Sequence, residues 1–173
     1  MVSGMNVRRD KTKIYKAAFF DRDHTLIHGD PAAREQRARM IEGWSGRPFV
    51  AQEDLFFRLL GDRQLLTVEN EIAFWRSYFT ELLRSQGVTD QIETRADTLF
   101  DAYWLKGGVV YPETKAVLDW FSSQGYRMGV ISDTFPSLKL TLEAVGIADY
   151  FSCFVCSDQV GVMKPEPLIY QTA

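Results

Sequence analysis

Three short apolar segments, each followed by polar residues, constrain the fold of this chain more than any other feature. The segments are 14–20, 127–131 and 151–156. Apolar runs of this length are typical of strands that are covered on both faces of a sheet. Helical patterns at 114–124 and 136–146 separate the later segments. A strand, helix, strand order predicts right-handed crossovers, and therefore a parallel sheet.

The sequence between the first segment and the second has helical periodicity over roughly residues 31–105. Helices are predicted at four places there: 32–44, 55–60, 72–83 and 92–105. Because this block interrupts an alternating strand and helix pattern, it is predicted to be an inserted all-helical domain. The sequence thus predicts an α/β fold with a core of residues 1–28 and 107–173 and an insertion of residues 29–106.

Charge and hydropathy exclude several classes of function. The 173 residues contain 20 Lys and Arg against 23 Asp and Glu, a net charge of -3, without a long block of either sign. This balance predicts neither a nucleic-acid surface nor an acidic-lipid surface. No apolar run approaches the ~20 residues of a membrane span. The basic N-terminal stretch is not followed by the apolar segment of a secretion signal, so a cytoplasmic protein without a membrane partner is expected.

The two cysteines, Cys153 and Cys156, form a C-x-x-C pair. Such a pair can be a redox centre or half of a zinc site. Both lie in the third predicted strand, and the sequence contains no second pair. Free cysteine is commonly buried as a small apolar residue, and we interpret the pair in that way.

The polar residues after the three predicted strands are the candidate functional residues. Asp21 and Asp23 follow the first strand, Ser132 and Asp133 the second, and Lys164 comes after the third. Ligands of open parallel sheets bind beyond the carboxyl ends of the strands. Residues two apart in an extended chain share a side, so the Asp21 and Asp23 carboxylates are expected to converge.

Two converging carboxylates can transfer a phosphoryl group. Asp21 or Asp23 can attack phosphorus while the other protonates the departing alcohol and later activates water. Mg²⁺ and Lys164 could offset the negative charge, and the Ser132 hydroxyl could bind a phosphate oxygen. Each residue also has a purely structural alternative as a helix cap, a turn residue or a solvated charge. Their joint order along the chain favours the functional interpretation.

These residues resemble the first three motifs of the haloacid dehalogenase superfamily. The motifs are Asp21-x-Asp23-x-Thr25, Ser132, and Lys164-Pro165, each after a predicted strand. The helical insertion is similar to the C1-type cap of subfamily I. The resemblance covers essentially the whole chain, and it implies a three-layer Rossmann-like parallel sheet with a helical cap.

The resemblance also implies roles. Asp21 would be the nucleophile and a Mg²⁺ ligand, and Asp23 the general acid and base that offers its backbone carbonyl to Mg²⁺. Phosphate contacts and a supporting role would belong to Ser132, Asp133, Lys164 and Thr25. An acid at Asp23 favours phosphoryl transfer over dehalogenation in this family. The implied activity is Mg²⁺-dependent hydrolysis of a small phosphorylated metabolite through an aspartyl-phosphate, with a phosphomutase as the alternative.

The sequence departs from the family in its fourth motif, an acidic cluster expected downstream of Lys164. Without that motif and its strands, the sheet is expected to be incomplete, with an apolar edge from Tyr15 to Phe20. An exposed edge could pair with another copy of the chain. A catalytically impaired fragment, or a phosphate-binding module, is therefore a further alternative.

A smaller departure is His24, and two further basic residues, His28 and Arg47, are considered for roles near the site. His24 stands where the family commonly has glycine, and a role in loop packing is expected. His28 is interpreted as a solvated residue at the hinge into the helical domain. Arg47 of the helical domain could contact a second charged group of a substrate, although an exposed arginine is usually only solvated.

Overall fold

The computed structural model describes residues 16–173, which form thirteen helices and strands with one additional 3-10 turn. The elements, in chain order, are β1 (Ala17–Phe20), β2 (Ile27–Gly29), α1 (Pro31–Ser45), α2 (Glu53–Leu60), α3 (Val68–Ser85), α4 (Ile92–Tyr103), β3 (Gly108–Val110), α5 (Thr114–Ser123), β4 (Arg127–Ser132), α6 (Leu138–Ala144), β5 (Cys153–Cys156), α7 (Ser157–Val160) and α8 (Pro167–Gln171). The 3-10 turn, Ala148–Tyr150, precedes β5.

The main sheet has three parallel strands in the order β1, β4, β5. Phe20 pairs with Val130, and Ser132 pairs with Cys156, so the carboxyl ends of the strands lie at the same edge of the sheet. The parallel α/β architecture predicted from the sequence is confirmed. This arrangement brings the polar residues that follow β1 and β4 close together.

Helices cover both faces of the sheet. Alternate residues of β4 point to opposite sides, so apolar side chains lie on both faces and must be buried there. Met128 and Val130 pack into a core with Leu118 of α5 and Leu142 of α6. Ile131 faces the other way and packs in a second cluster, with Val155 of β5 and Ile169 of α8. The result is the three-layer arrangement that the sequence predicts.

Strand β1 lies at one edge of the main sheet. Its Phe19 side chain is 48% exposed, and the ring lies over Gly129 of β4. A Cβ at Gly129 would come within 2.6 Å of that ring, so only glycine permits this close approach. The predicted edge is therefore present over the described residues, whereas Tyr15 lies outside them. Pairing of this edge with another copy stays a prediction.

Helices α1 to α4 build a separate apolar cluster around Ile41, Leu83 and Leu99, all fully buried. Helix α1 begins at Pro31, and the Asp30 carboxylate accepts a hydrogen bond from the Ala32 N–H at 2.9 Å. A proline in the first turn and an aspartate cap are both favourable at a helix start. All four predicted helices are present, with bounds that differ by a few residues.

Strands β2 and β3 form an antiparallel pair that the sequence analysis did not predict. The pair joins the two points where the chain passes between the sheet region and the helical block. Three residues per strand are too few to show an alternating pattern. The His28 ring is half-buried here, with its centre 4.7 Å from that of Tyr111, so it is less solvated than expected.

The cysteines are both free thiols within β5. Cys156 is buried, and this burial raises the pKa of its thiol. Cys153 is half-buried. Their location agrees with the interpretation as small core residues. Within residues 16–173, no helix is long and apolar enough to cross a membrane.

Candidate active site

The Asp21 carboxylate lies at the carboxyl end of β1 and is held from three directions. Lys164 Nζ lies 2.8 Å from Asp21 Oδ2. The Ser132 hydroxyl, at the end of β4, donates to Asp21 Oδ1 at 2.8 Å, and the Arg22 backbone N–H donates to the same oxygen at 2.8 Å. The parallel sheet thus unites residues that are 111 positions apart in the chain.

These contacts set the charge of Asp21. Burial alone would raise the pKa of Asp21, but hydrogen bonds from Lys164, Ser132 and the Arg22 N–H, with the positive charge of Lys164, outweigh it. The net pKa lies below the usual value for aspartate. The side chain is still 39% exposed, so an ionised carboxylate is accessible to a ligand. An accessible, ionised and oriented carboxylate suits a nucleophile.

Lys164 is positioned by the strand that carries Ser132. Its backbone N–H donates to the Asp133 carboxylate at 2.9 Å, and its Nζ lies 3.3 Å from the Ile131 carbonyl oxygen. The Asp133 side chain therefore holds the loop that presents the ammonium group to Asp21. Asp21, Ser132, Asp133 and Lys164 form one connected group, as the sequence predicts for residues of a common site.

Asp23 is placed differently from the other predicted site residues. Its carboxylate forms an ion pair with the neighbouring Arg22, with Nε 3.1 Å from Oδ1 and Nη2 2.8 Å from Oδ2. Two threonine hydroxyls accept hydrogen bonds from the same guanidinium, Thr134 from Nη2 at 2.5 Å and Thr141 from Nη1 at 3.3 Å. Arg22 was not among the residues predicted for the site, although an arginine between two aspartates was a signal for it.

A cavity of about 180 Å³ lies between the ends of the strands and the helical block. Arg22 and Asp23 line it from the sheet, and Trp75 and Trp104 line it from the helical block. The Asp21 carboxylate and Lys164 instead line a neighbouring cavity of about 320 Å³, beside Phe19 at the β1 edge. The two aspartates therefore lie in adjacent cavities in this conformation.

A buried glutamate of the helical block, Glu71, closes one wall of the smaller cavity. Its side chain on α3 is only 2% exposed. The carboxylate accepts hydrogen bonds from the Ser137 N–H at 2.8 Å and the Ser137 hydroxyl at 2.6 Å. The indole N–H groups of Trp75 and Trp104 also donate to it, at 3.3 and 3.2 Å. Glu71 thereby joins the helical block to the loop before α6.

Glu71 was not among the residues predicted for the site. Its signal is an acidic residue one turn before Trp75 on the apolar stripe of α3, where a solvated glutamate would be out of place. A second carboxylate, Asp158, accepts a hydrogen bond from the Leu65 N–H at 2.8 Å and adds a further contact between the two parts.

The remaining predicted residues lie at the periphery. Thr25 and His24 are exposed, and the His24 backbone is left-handed, with φ 57°. This conformation is one that glycine adopts readily and other residues adopt at a cost. Arg47 is exposed and does not line the cavity beside Asp23. The left-handed backbone of His24 sets the course of the loop between Asp23 and β2.

The candidate metal ligands are oxygen atoms. Over residues 16–173, no three or more His, Cys, Asp or Glu side chains converge into a metal-binding group. The family resemblance implies two donors, the carboxylate of Asp21 and the backbone carbonyl of Asp23. Mg²⁺ prefers oxygen and commonly uses one or two carboxylates together with water and phosphate oxygens. The chemistry of this donor set fits Mg²⁺.

The fold is a Rossmann-like parallel sheet with an inserted helical block, and the family comparison agrees with it. The model of the haloacid dehalogenase-like hydrolases matches residues 15–173. The chain belongs to this family.

Two curated relatives are phosphatases by name. The chain is 31% identical over 165 residues to phosphoglycolate phosphatase of Yersinia pseudotuberculosis, covering 91% of this chain and 65% of that protein. It is 28% identical over 179 residues to glyceraldehyde 3-phosphate phosphatase of Pyrococcus abyssi, covering 91% of this chain and 66% of that protein. The chain thus spans about two thirds of the length of the curated relatives it matches.

Solved structures support the fold. The 2-haloacid dehalogenase of Pseudomonas syringae pv. tomato superposes with a TM-score of 0.60 at 24% identity, over 91% of this chain and 70% of that one. This likeness concerns the fold alone. The α/β class with a Rossmann-like sheet, predicted from the sequence, is confirmed.

Proposed function

We propose that this chain hydrolyses small phosphomonoesters with the help of Mg²⁺ and through an aspartyl-phosphate on Asp21. The observation that carries the proposal is the contact of one accessible carboxylate with the Lys164 ammonium and the Ser132 hydroxyl. Both groups could also bind oxygens of a phosphoryl group next to Asp21. Asp133 supports this arrangement by holding the Lys164 backbone.

In the proposed reaction an Asp21 oxygen attacks phosphorus, and the bond from phosphorus to the ester oxygen breaks. Asp23 donates a proton to the departing alcohol. Asp23 then takes a proton from water as that water attacks the aspartyl-phosphate, which releases phosphate and restores the Asp21 carboxylate. Mg²⁺, when bound by the Asp21 carboxylate and the Asp23 carbonyl, would offset the negative charge of the phosphoryl oxygens.

We further propose that residues 29–106 act as a cap over residues 1–28 and 107–173. The separate apolar cluster of α1 to α4 and the β2–β3 pair at the crossing points support this division. The small cavity beneath the helical block would exclude water and limit substrate size. The phosphoryl group would lie beside Asp21, and the rest of a compound of two or three carbons, such as the substrates named for the relatives, would suit the neighbouring cavity of about 180 Å³.

Phosphate release from p-nitrophenyl phosphate tests the proposal. We expect Mg²⁺-dependent release by the wild type, loss on adding EDTA, and at least about a 10³-fold lower rate for Asp21→Asn, because an amide is a poor nucleophile. Asp149→Asn is the matched control. Asp149 is exposed and precedes β5, so it lies at the amino end of the sheet, away from the site.

Equal rates for the wild type and Asp21→Asn would refute the catalytic role. Retained phosphate binding without release from either protein would instead support the phosphate-binding module that the sequence left open. Circular dichroism of the two variants and the wild type checks that the fold is unchanged.

A further inference from the structure

Arg22 presents its guanidinium to a carboxylate in the geometry by which arginine recognises planar anions. The Nε and Nη2 groups bind the two oxygens of Asp23 side by side. Such two-point binding is stronger and more directional than a single charged contact. Thr134 and Thr141 hold the guanidinium in place, and the Arg22 side chain is only 14% exposed. Arg22 is therefore an oriented carboxylate receptor.

Asp23 occupies this receptor, but the proposed reaction needs Asp23 at the ester oxygen of the substrate. While both Asp23 oxygens face Arg22, neither is directed to an ester oxygen next to Asp21. The Asp23 side chain is 47% exposed, so it has room to move. An incoming carboxylate could take its place on Nε and Nη2, with both charges remaining paired or solvated.

The cavity favours a ligand with one anionic group at this position. Among the described residues that line the cavity, Arg22 is the only lysine or arginine. Trp75 and Trp104 provide apolar walls, and the Glu71 oxygens are already bound by serine and indole donors. Arg47, the cation considered from the sequence, does not line this cavity.

We propose that Arg22 determines specificity by binding a carboxylate of the substrate in place of Asp23. This inference rests on the proposed phosphohydrolase function and narrows its substrates to small phosphomonoesters that carry a carboxylate. The exchange also turns Asp23 from Arg22 towards the leaving-group oxygen. Substrates with an aldehyde, an alcohol or an amide in place of the carboxylate lack the charge that competes with Asp23, so we expect them to be hydrolysed more slowly.

A pair of substrates tests the proposal on the wild type without any mutation. The compounds are 2-phosphoglycolate and its neutral amide, which have nearly the same shape. We expect kcat/KM to be about 10- to 100-fold higher for 2-phosphoglycolate, the range for a hydrogen-bonded charge pair. An equal or higher value for the amide would overturn the proposal.

Variants then assign the preference to Arg22. In Arg22→Met the ratio of the two kcat/KM values should fall to about one, since the positive charge is gone. In Arg22→Lys the ratio should lie between one and the wild-type value, because lysine keeps the positive charge but cannot bind both carboxylate oxygens side by side. Arg58→Met is the matched control: Arg58 is an exposed residue of α2 outside this cavity, and the ratio should not change. A wild-type ratio in Arg22→Met would refute the assignment.

The failure of this inference can be distinguished from failure of the proposed function. Asp21-dependent hydrolysis of p-nitrophenyl phosphate without a preference for 2-phosphoglycolate would refute only the role of Arg22. If no phosphomonoester is hydrolysed, the function fails, and calorimetric binding to the wild type decides the Arg22 inference. Tighter binding of 2-phosphoglycolate than of the amide, lost in Arg22→Met, would support it, and equal binding would refute it.

Discussion

Two carboxylates on opposite sides of the boundary between sheet and helical block have contrasting environments. Asp21 is 39% exposed and is held by a lysine, a serine hydroxyl and a backbone N–H. Glu71 is 2% exposed, and its partners are neutral: a backbone N–H, a serine hydroxyl and two indoles. Asp21 has an accessible charge next to a cation, whereas the Glu71 carboxylate is enclosed by hydrogen-bond donors.

This difference separates a group that can react from a group that holds two parts together. A nucleophile must be reachable, so its contacts can be only partly buried, and they add little to stability. A buried acid must be fully hydrogen-bonded, and loss of its contacts leaves several donors unpaired. Substitution should therefore affect activity at the Asp21 group and stability at Glu71.

The largest effect is expected from Lys164→Met, which removes the cation beside Asp21. We expect kcat/KM for p-nitrophenyl phosphate to fall by about 10³-fold, since a charged group next to the proposed phosphoryl site would stabilise the transition state. The free energy of unfolding should change by about 1 kcal/mol or less, because the pair is part exposed. Phosphate release and urea unfolding measure the two quantities. A large loss of stability with normal activity would contradict the contrast between the Asp21 group and Glu71.

Glu71→Ala should have the opposite profile. Removal of this carboxylate leaves the Ser137 and indole donors without their partner, and we expect a loss of about 3 kcal/mol in the free energy of unfolding. Urea unfolding followed by tryptophan fluorescence measures it, because Trp75 and Trp104 contact the carboxylate.

The control for Glu71→Ala is Glu69→Ala, an exposed glutamate in the first turn of the same helix. This change should leave the two indoles and Ser137 paired, and so have a much smaller effect. Equal losses for both variants would show that removal of a negative charge from the first turn of the helix, and not loss of the buried contacts, accounts for the result.

A smaller effect is expected in the loop that joins the two regions. His24 has a left-handed backbone, and glycine adopts this conformation without the Cβ conflict. His24→Gly should therefore raise the free energy of unfolding by about 1 kcal/mol. Thr25→Gly is the control: Thr25 is not left-handed, so glycine there should only add disorder to the unfolded chain and lower stability. Stabilisation by both changes would contradict this explanation.

The smallest effect concerns pH. The pKa of Asp21 is lower in the folded protein than in the unfolded chain, so its charge stabilises the fold above the unfolded pKa, about 3.9. That contribution should be lost as pH falls through the lowered folded pKa. Because the side chain is part exposed, the contribution should stay below about 1 kcal/mol. Unfolding of the wild type and Asp21→Asn in EDTA from pH 7 to pH 3 should converge at low pH, and a widening gap would contradict the sign.

The sequence predicts the parallel sheet because its segments carry strong local patterns. The apolar runs around Val130 and Val155 can be buried only in strands covered on both faces. The apolar stripes of α3 and α4 can be buried only in helices with one side against the core. The β2–β3 pair was not predicted because its strands are too short to show an alternating pattern of apolar and polar residues. Its stability comes from pairing across the chain, which is not a local property.

The candidate site likewise has one part that was predicted from the sequence and one part that was not. The meeting of Asp21, Ser132 and Lys164 was predictable from their order along the chain, because parallel strands bring their carboxyl ends to one edge. The pairing of Asp23 with Arg22, and the enclosure of Glu71 by Ser137 and two indoles, became visible only in the folded protein. Thr134 and Thr141 hold the Arg22 guanidinium in place, and Ser137 contacts Glu71. These partners come from distant segments of the chain, so spacing along the sequence does not predict the contacts.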